Sequence, residues 1–397
     1  MSTIKKEVLT DPKRFQLASG ISKAELDQAI NDVVNKVKHN IIKLGETFPD
    51  SSTINDTYMT SKNVEWTPGF WTGILWLCYE NTHEEVFKKL AEKNVESFYE
   101  RIKDQVDVNH HDLGFLYIPS CVAAYKLTGN ELGKKAALMA ADKLMERYNP
   151  KGKFIQAWGN VGASDNYRLI VDAMLNIPLL YWAYQETGKE EYLSVVKNHY
   201  ATTLKYAIRE DGSAYHTFFF DPVSGKPLGG KTRQGYSDDS SWARGQAWLI
   251  YGIALNYSRL HDDSDIDTFE AVTNYFLNRL PKDFVSYWDL IFNDGDYQSK
   301  DSSATAIAIC GMNQMQRFLD PKSEVYPIYE KAQSIMLHNL VESYTEEKTN
   351  GITALLNHGV YSWHSGHGVD EGNLWGDYFY LEALTRFKQK NEWNMYW

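Results

Sequence analysis

Apolar residues recur at helical spacing through most of the chain, broken by short polar or glycine-rich stretches. Leu175, Leu179 and Trp182 follow one another by steps of four and three, which places them on one helical face. The same reading predicts helices at 22–43, 68–80, 84–103, 115–128, 130–146 and 170–187. Six more are predicted at 189–209, 242–259, 264–280, 302–318, 324–345 and 373–390. Pro178 interrupts the sixth and is expected to kink it. Turn chemistry separates neighbours, as in Thr128-Gly129-Asn130 and Thr187-Gly188-Lys189.

Twelve helices pair as six hairpins. Residues 113–147 and 171–209 read as one repeated unit, in which an apolar helix ends in Tyr-x-x-Thr-Gly and a second helix follows. The opening tyrosines, Tyr125 and Tyr184, lie 59 residues apart, longer than common solenoid repeats. Two antiparallel helix layers that close on themselves hide their inner faces without end caps. The pattern therefore favours an all-α fold, a six-hairpin (α/α)6 barrel, over an open superhelix, with residues 1–397 as a single domain. Residues 210–241 break the helical pattern with Tyr215-His216-Thr217-Phe218-Phe219-Phe220 and a glycine-rich run at 224–235. A short hairpin or long loop over one barrel mouth is expected there.

With 43% apolar residues in 397, the chain has ample material for a core, which excludes global disorder. No apolar run approaches the roughly 18 residues that span a bilayer. Met1-Ser2-Thr3-Ile4-Lys5-Lys6 has no apolar core or cleavage site, so no secretory signal is expected. Cys78, Cys121 and Cys310 sit in or beside apolar runs without a CxxC pair, which fits a reducing cytoplasm better than a disulfide framework. The net charge of −11, from 41 basic and 52 acidic residues, argues against a nucleic-acid partner. The aromatic content, 12 Trp, 26 Tyr and 17 Phe, changes the picture most, because many lie beside Gly, Asn, Asp and His in loop-like stretches. Flat apolar faces near polar donors suit sugar rings.

Two aspartates are candidates for chemistry. Asp112 stands at a helix entrance, where it fits either an N-cap or a functional carboxylate. Asp172 lies among Ile170, Val171, Ala173, Met174 and Leu175. Lost hydration there favours the protonated form, which suits a general acid. An ion pair with Arg168, one turn back, or a hydrogen bond to Asn176, one turn on, fits equally well. Both aspartates open successive hairpins, so a barrel would bring them to the same mouth, an arrangement common in sugar chemistry. No metal is expected: His110 and His111 are adjacent, no HExxH occurs, and Gly366 and Gly368 place His364 and His367 in a loop. The string from Gly225 to Thr232 matches GxxxxGK[ST], yet no helical spacing follows, so it reads as a chance match. Arg244 begins a helix where its planar fork fits a carboxylate, with Trp248 one turn on to stack against a ring. Packed indoles and a surface arginine fit the same text. Trp66, Phe70, Trp71 and Trp76 read first as core.

Five texts together carry a resemblance: Trp66-Thr67-Pro68-Gly69-Phe70-Trp71, His110-His111-Asp112-Leu113-Gly114-Phe115, Val171-Asp172-Ala173-Met174-Leu175-Asn176, Ser241-Trp242-Ala243-Arg244-Gly245-Gln246 and Gly372-Asn373-Leu374-Trp375-Gly376-Asp377. In this order the sequence resembles bacterial unsaturated glucuronyl hydrolases, glycoside hydrolase family 88. The resemblance implies a six-hairpin α/α barrel without a cofactor. It implies action on lyase-generated oligosaccharides with a terminal C4=C5 unsaturated uronate, which family members hydrate so that the ring opens and the neighbouring sugar leaves. It makes Asp172 the acid/base and Asp112 its partner carboxylate. His216, Gln234, Arg244 and Trp248 match substrate-binding positions, Trp66, Phe70 and Trp158 resemble cavity walls, and His111 adjoins Asp112.

Relatives that prefer sulfated disaccharides carry Ser-x-x-Ser-x-Lys. Here Ser362 and Ser365 are kept, but His367 replaces the lysine, with Arg233 as a partial substitute. An imidazole offers sulfate less charge than an ammonium. The expected partners are unsaturated glycosaminoglycan disaccharides of hyaluronan or chondroitin type, with altered or pH-sensitive preference for sulfate. Alternatives are an unsaturated galacturonyl-rhamnose hydrolase, a sugar epimerase on the same barrel type, and a non-catalytic sugar-binding scaffold.

Overall fold

The structure, a computed structural model, describes residues 4–345, 351–390 and 393–397. The first three residues of the N-terminal text read above therefore lie outside the described residues. After a short α1 (Lys13–Leu17), α2 spans Lys23–Leu44. Its start is a capping box: Ser22 Oγ accepts the Glu25 N–H at 3.2 Å, and the Glu25 carboxylate accepts the Ser22 N–H at 2.8 Å. There follow α3 (Pro68–Thr82), α4 (Glu85–Lys103), α5 (Leu113–Tyr117), α6 (Ala123–Thr128) and α7 (Glu131–Met145). Then come α8 (Pro178–Thr187), α9 (Glu190–Tyr206), α10 (Ala243–Leu260), α11 (Ser264–Asn278), α12 (Ser302–Gln316), α13 (Val325–Ser343) and α14 (Leu374–Gln389). Ten of the twelve predicted helical segments have a single counterpart within a few residues.

Two segments differ from expectation. The stretch 115–128 is divided by a π-helical turn, Ile118–Val122, around Pro119, which has no N–H to give the helical ladder. The stretch 170–187 is not one kinked helix. Arg168–Ile170 is a strand, Val171–Leu175 is a 3₁₀ turn, and Pro178 starts α8 instead of bending it. The first turn of a helix leaves its N–H groups without internal partners, so a proline costs nothing there.

Short strands join the helices. Within 210–241, Thr217–Phe220 and Pro227–Lys231 form an antiparallel hairpin, and Arg168–Ile170 pairs with its first strand. The hairpin half of that expectation is what forms. The phosphate-loop string lies on this hairpin, and no helix starts before Ala243. A second hairpin pairs Gly359–Ser362 with His367–Glu371. The repeated Tyr-x-x-Thr-Gly texts form equivalent turns. Gly129 and Gly188 have φ of +69° and +71°, and their N–H groups donate to Tyr125 O at 2.9 Å and Tyr184 O at 2.8 Å.

Helices α3, α10, α12 and α14 are buried on nearly all sides, whereas α2, α4, α7, α9, α11 and α13 each keep a polar outer face. Packing runs from α10 to α12, α12 to α14, α14 to α3, and α3 to α5 and the π turn. α5 meets α8, and the 3₁₀ turn before α8 meets α10. The polar-faced helices lie on these: α4 on α3, α7 on the π turn, α9 on α8, α11 on α10, α13 on α12 and α2 on α14. The fold is thus all-α in its framework, with sheets only in the connections. Trp397 enters this core, with its ring stacked on Phe379 at 5.8 Å and Nε1 donating to Glu382 Oε2 at 2.7 Å. The three cysteines are free and buried. Among the described residues no helix is long and apolar enough to cross a membrane.

Candidate active site

The segments that carry the two aspartates are drawn together by one amide. Asn176 Oδ1 accepts the Phe115 N–H at 2.9 Å, and Asn176 Nδ2 donates to Asp172 O at 3.2 Å. Gly114 permits the approach, since a Cβ there would stand 2.4 Å from Asn176 Cα. Backbone bonds complete the frame: His111 N–H donates to Ala157 O, Ala157 N–H to Arg168 O, and Val171 N–H to His216 O. Asp112, Trp158, Asp172 and His216 thereby reach one cavity of about 380 Å³. A larger groove of about 720 Å³ runs along the outside of α2 beside α13, with mainly apolar walls. The acid pair lies in the smaller cavity, and chemistry follows the acids.

His111 is wholly buried between the two carboxylates. Its Nε2 is 3.3 Å from Asp112 Oδ1 and 3.5 Å from Asp172 Oδ1, in a geometry that satisfies no hydrogen bond. Burial drives this imidazole down to about 4, so it is neutral near pH 7. The three groups could hold a metal ion by spacing alone.

The acids diverge. Burial and then the Asp112 carboxylate push Asp172 well above the usual carboxylate range. Its side chain keeps 20% of its surface open to the cavity. Asp112 also suffers burial, but His111, His110 and the Arg147 guanidinium outweigh it and hold this carboxyl low. The two neighbouring acids are therefore pushed in opposite directions, Asp172 up and Asp112 down. Neither alternative for Asp172 forms. Arg168 stacks on Phe219 at 5.5 Å instead of pairing with Asp172, and Asn176 reaches only the Asp172 backbone. Asp112 stands before α5 without capping it through its side chain.

Residues 35–385 match the family described as Glycosyl Hydrolase Family 88. The chain is 54% identical over 392 residues to an unsaturated chondroitin disaccharide hydrolase of Streptococcus pneumoniae, covering 98% of each chain. The chain belongs to glycosyl hydrolase family 88. It is 39% identical to an unsaturated glucuronyl hydrolase of Bacillus sp. strain GL1, over 91% of this chain and 96% of that one. The crystal structure of an unsaturated glucuronyl hydrolase from Streptococcus agalactiae superposes with a TM-score of 0.98 at 51% identity, over the whole of both chains. As a family 88 member the protein is a glycoside hydrolase.

In this family 88 chain the cavity is lined by most of the residues singled out from sequence. Trp66, Asp112, Trp158, Asp172, His216, Arg233, Gln234, Arg244, Trp248, Ser362, Ser365 and His367 all reach it. Phe70 does not. It is fully buried behind Trp66, among Phe115, Tyr378 and Phe379, because it faces inward from the first turn of α3. His111 lies behind the wall. Arg244 is not a free clamp either. Its Nη1 donates to Asp301 Oδ2 at 2.8 Å and Val360 O at 2.6 Å, and its Nη2 to Gln234 Oε1 at 2.7 Å and Tyr361 O at 2.9 Å. Both terminal nitrogens are thus committed to protein acceptors, and the side chain is neither at the surface nor open for bidentate capture. Sequence reasoning gave no wall position to Glu65, Arg168, Ile170, Trp242 and Tyr361. Trp242 lies within a text already singled out, and Glu65, Ile170 and Tyr361 adjoin one, so adjacency was the available signal.

Proposed function

We propose that this family 88 hydrolase releases unsaturated uronic acid from glycosaminoglycan oligosaccharides by hydrating the C4=C5 double bond. The relatives carry that kind of substrate in their names: unsaturated chondroitin disaccharides for the streptococcal proteins. A mutant of the S. agalactiae enzyme is complexed with dGlcA-GalNAc6S. The observation that carries the reading is the pair of neighbouring acids on one cavity, with Asp172 pushed up and Asp112 held low by their surroundings. In this mechanism Asp172 gives its proton to C4, and positive charge develops at C5 and the ring oxygen. The ionised Asp112 stabilises that charge at close range. Asp172, now a carboxylate, takes a proton from the water that adds to C5. The resulting hemiketal opens to a ketone at C5, and the hemiacetal left at C1 breaks down to free the neighbouring sugar. One water is consumed and Asp172 ends protonated.

Trp66 and Trp158 offer ring faces to the sugars, while His216, Gln234, Arg233 and the backbone near Arg244 hold polar groups. The helix packing supports a six-hairpin α/α barrel in which residues 1–397 form one catalytic domain, and the buried free thiols suit a reducing cytoplasm. The test uses a lyase-generated unsaturated disaccharide and the ultraviolet absorbance of its conjugated double bond. Wild type should abolish the band, and Asp172→Asn should leave it. A band that persists with wild type would refute the reading.

A further inference from the structure

Gln234 and His216 face the cavity from the open end of one hairpin, just outside its Thr217–Lys231 pair, and both are wired as donors. His216 Nδ1 accepts the Arg233 N–H at 2.9 Å, so its ring proton sits on Nε2. Gln234 is fixed by a different partner. A guanidinium only donates, so the bond from Arg244 Nη2 at 2.7 Å requires the Gln234 amide oxygen to face it. The Gln234 NH₂ group must then turn away from Arg244.

Arg244 itself is held from behind. Its ring-sandwiched guanidinium lies 4.4 Å over Trp242 and 4.8 Å over Trp375. Asp301, with no exposed surface and no place on the cavity wall, takes Nη1 at 2.8 Å. The other Asp301 oxygen accepts the Ser303 hydroxyl. From this geometry we infer that Asp301 is a positioning residue, which sets the donor face of Gln234 and the strand at Val360 and Tyr361 through Arg244. The inference rests on the function proposed above, because the donor wall it describes suits the uronate carboxylate. At this part of the wall His216 and Gln234 present neutral donors to that carboxylate, beside the charged Arg168 and Arg233, while the Arg244 charge is answered by Asp301.

The test is a double-mutant cycle between Asp301→Asn and Gln234→Ala, read as disaccharide affinity by calorimetry in an Asp172→Asn background that does not consume ligand. Each single variant should weaken binding roughly tenfold, the size of one charge-assisted hydrogen bond. The double variant should lose little more than either single one, because both remove the same contact. In the Asp172-containing enzyme, Asp301→Asn should raise KM about tenfold, leave kcat within about threefold and leave the pH profile in place. Ser303→Ala removes the hydroxyl that holds Asp301 and that accepts the Trp375 Nε1–H at 2.9 Å. It leaves the Arg244–Asp301 pair in place and loosens both supports of the guanidinium, so it should weaken binding in the same direction even if Asp301→Asn fails to fold. Losses that multiply in the double variant, or a Ser303→Ala protein with wild-type affinity, would overturn this proposal alone. No binding to any variant, together with no turnover by wild type, would overturn the function reading and this one with it.

Discussion

Asp172 shows how much of its chemistry depends on backbone shape. Its apolar neighbours already signalled a costly charge, and the structure adds Asp112 as a second reason for a retained proton. The Arg168 alternative failed for a local reason. In a helix, residues four apart share a face, but here Arg168 is in a strand and Asp172 in a 3₁₀ turn, so the two side chains separate. Periodicity over an apolar run does not reveal that change of backbone. The pH consequence has a definite sign. The folded pKa of Asp172 exceeds its unfolded value near 3.8, so its contribution to stability is complete below about pH 4 and is lost as pH rises through the folded pKa. The amide of an Asp172→Asn protein does not titrate and escapes that loss. Thermal unfolding across pH 4 to 8 should therefore show the Asp172→Asn protein gaining on wild type as pH rises. Turnover by wild type should decline as pH rises through that folded pKa, since the acid loses its proton. Gly114 gives a second expectation. Gly114→Ala would press a methyl group on Asn176 backbone, costing about 1–3 kcal/mol in a tight core. Urea unfolding should show that loss, and kcat should fall as the acids move apart.

Helices were legible because their period repeats over many turns, and their ends carried Gly129, Gly188 and Ser22. The strands that finish the site were not. Arg168–Ile170 is three residues long, and its pairing with Thr217–Phe220 is fixed by partners about fifty positions away. Such short pieces lack a period to read. The hairpin of Gly359–Ser362 and His367–Glu371 belongs to the same class, and it sets the sulfate question. It delivers Ser362, Ser365 and His367 to the cavity, with His367 Nε2 3.2 Å from Ser52 Oγ and its ring 4.6 Å from Tyr361. A lysine at that position would reach with a flexible stem and a full charge. His367→Lys should thus raise the rate ratio for 6-sulfated over unsulfated unsaturated disaccharide several-fold, measured as kcat/KM on each. An unchanged ratio would remove His367 from the determinants of sulfate preference.

Across the whole molecule, the site depends on distant packing. Phe115, which follows the Asp112 turn, meets Trp66 and Trp248 on the cavity side and Trp397 on the other. Trp397 also meets Tyr251 of α10 and Phe379 of α14, so one indole joins α5, α10 and α14. Below it, Glu382 takes the Trp397 Nε1–H and pairs with Arg386 at 2.9 Å. Trp397→Ala would open a large hole and strip a donor from a buried carboxylate. The expected cost is about 3–5 kcal/mol in urea unfolding. Its placement was not legible, because nothing in a short aromatic text states which cavity it fills.

The two Tyr-x-x-Thr-Gly turns lie where the helices that begin beside Asp112 and Asp172 come to an end. A reactive handle placed on the exposed Lys189 would tether the protein to a bead with its acids facing the liquid. A column prepared that way should accept dissolved oligosaccharide as freely as the untethered protein does.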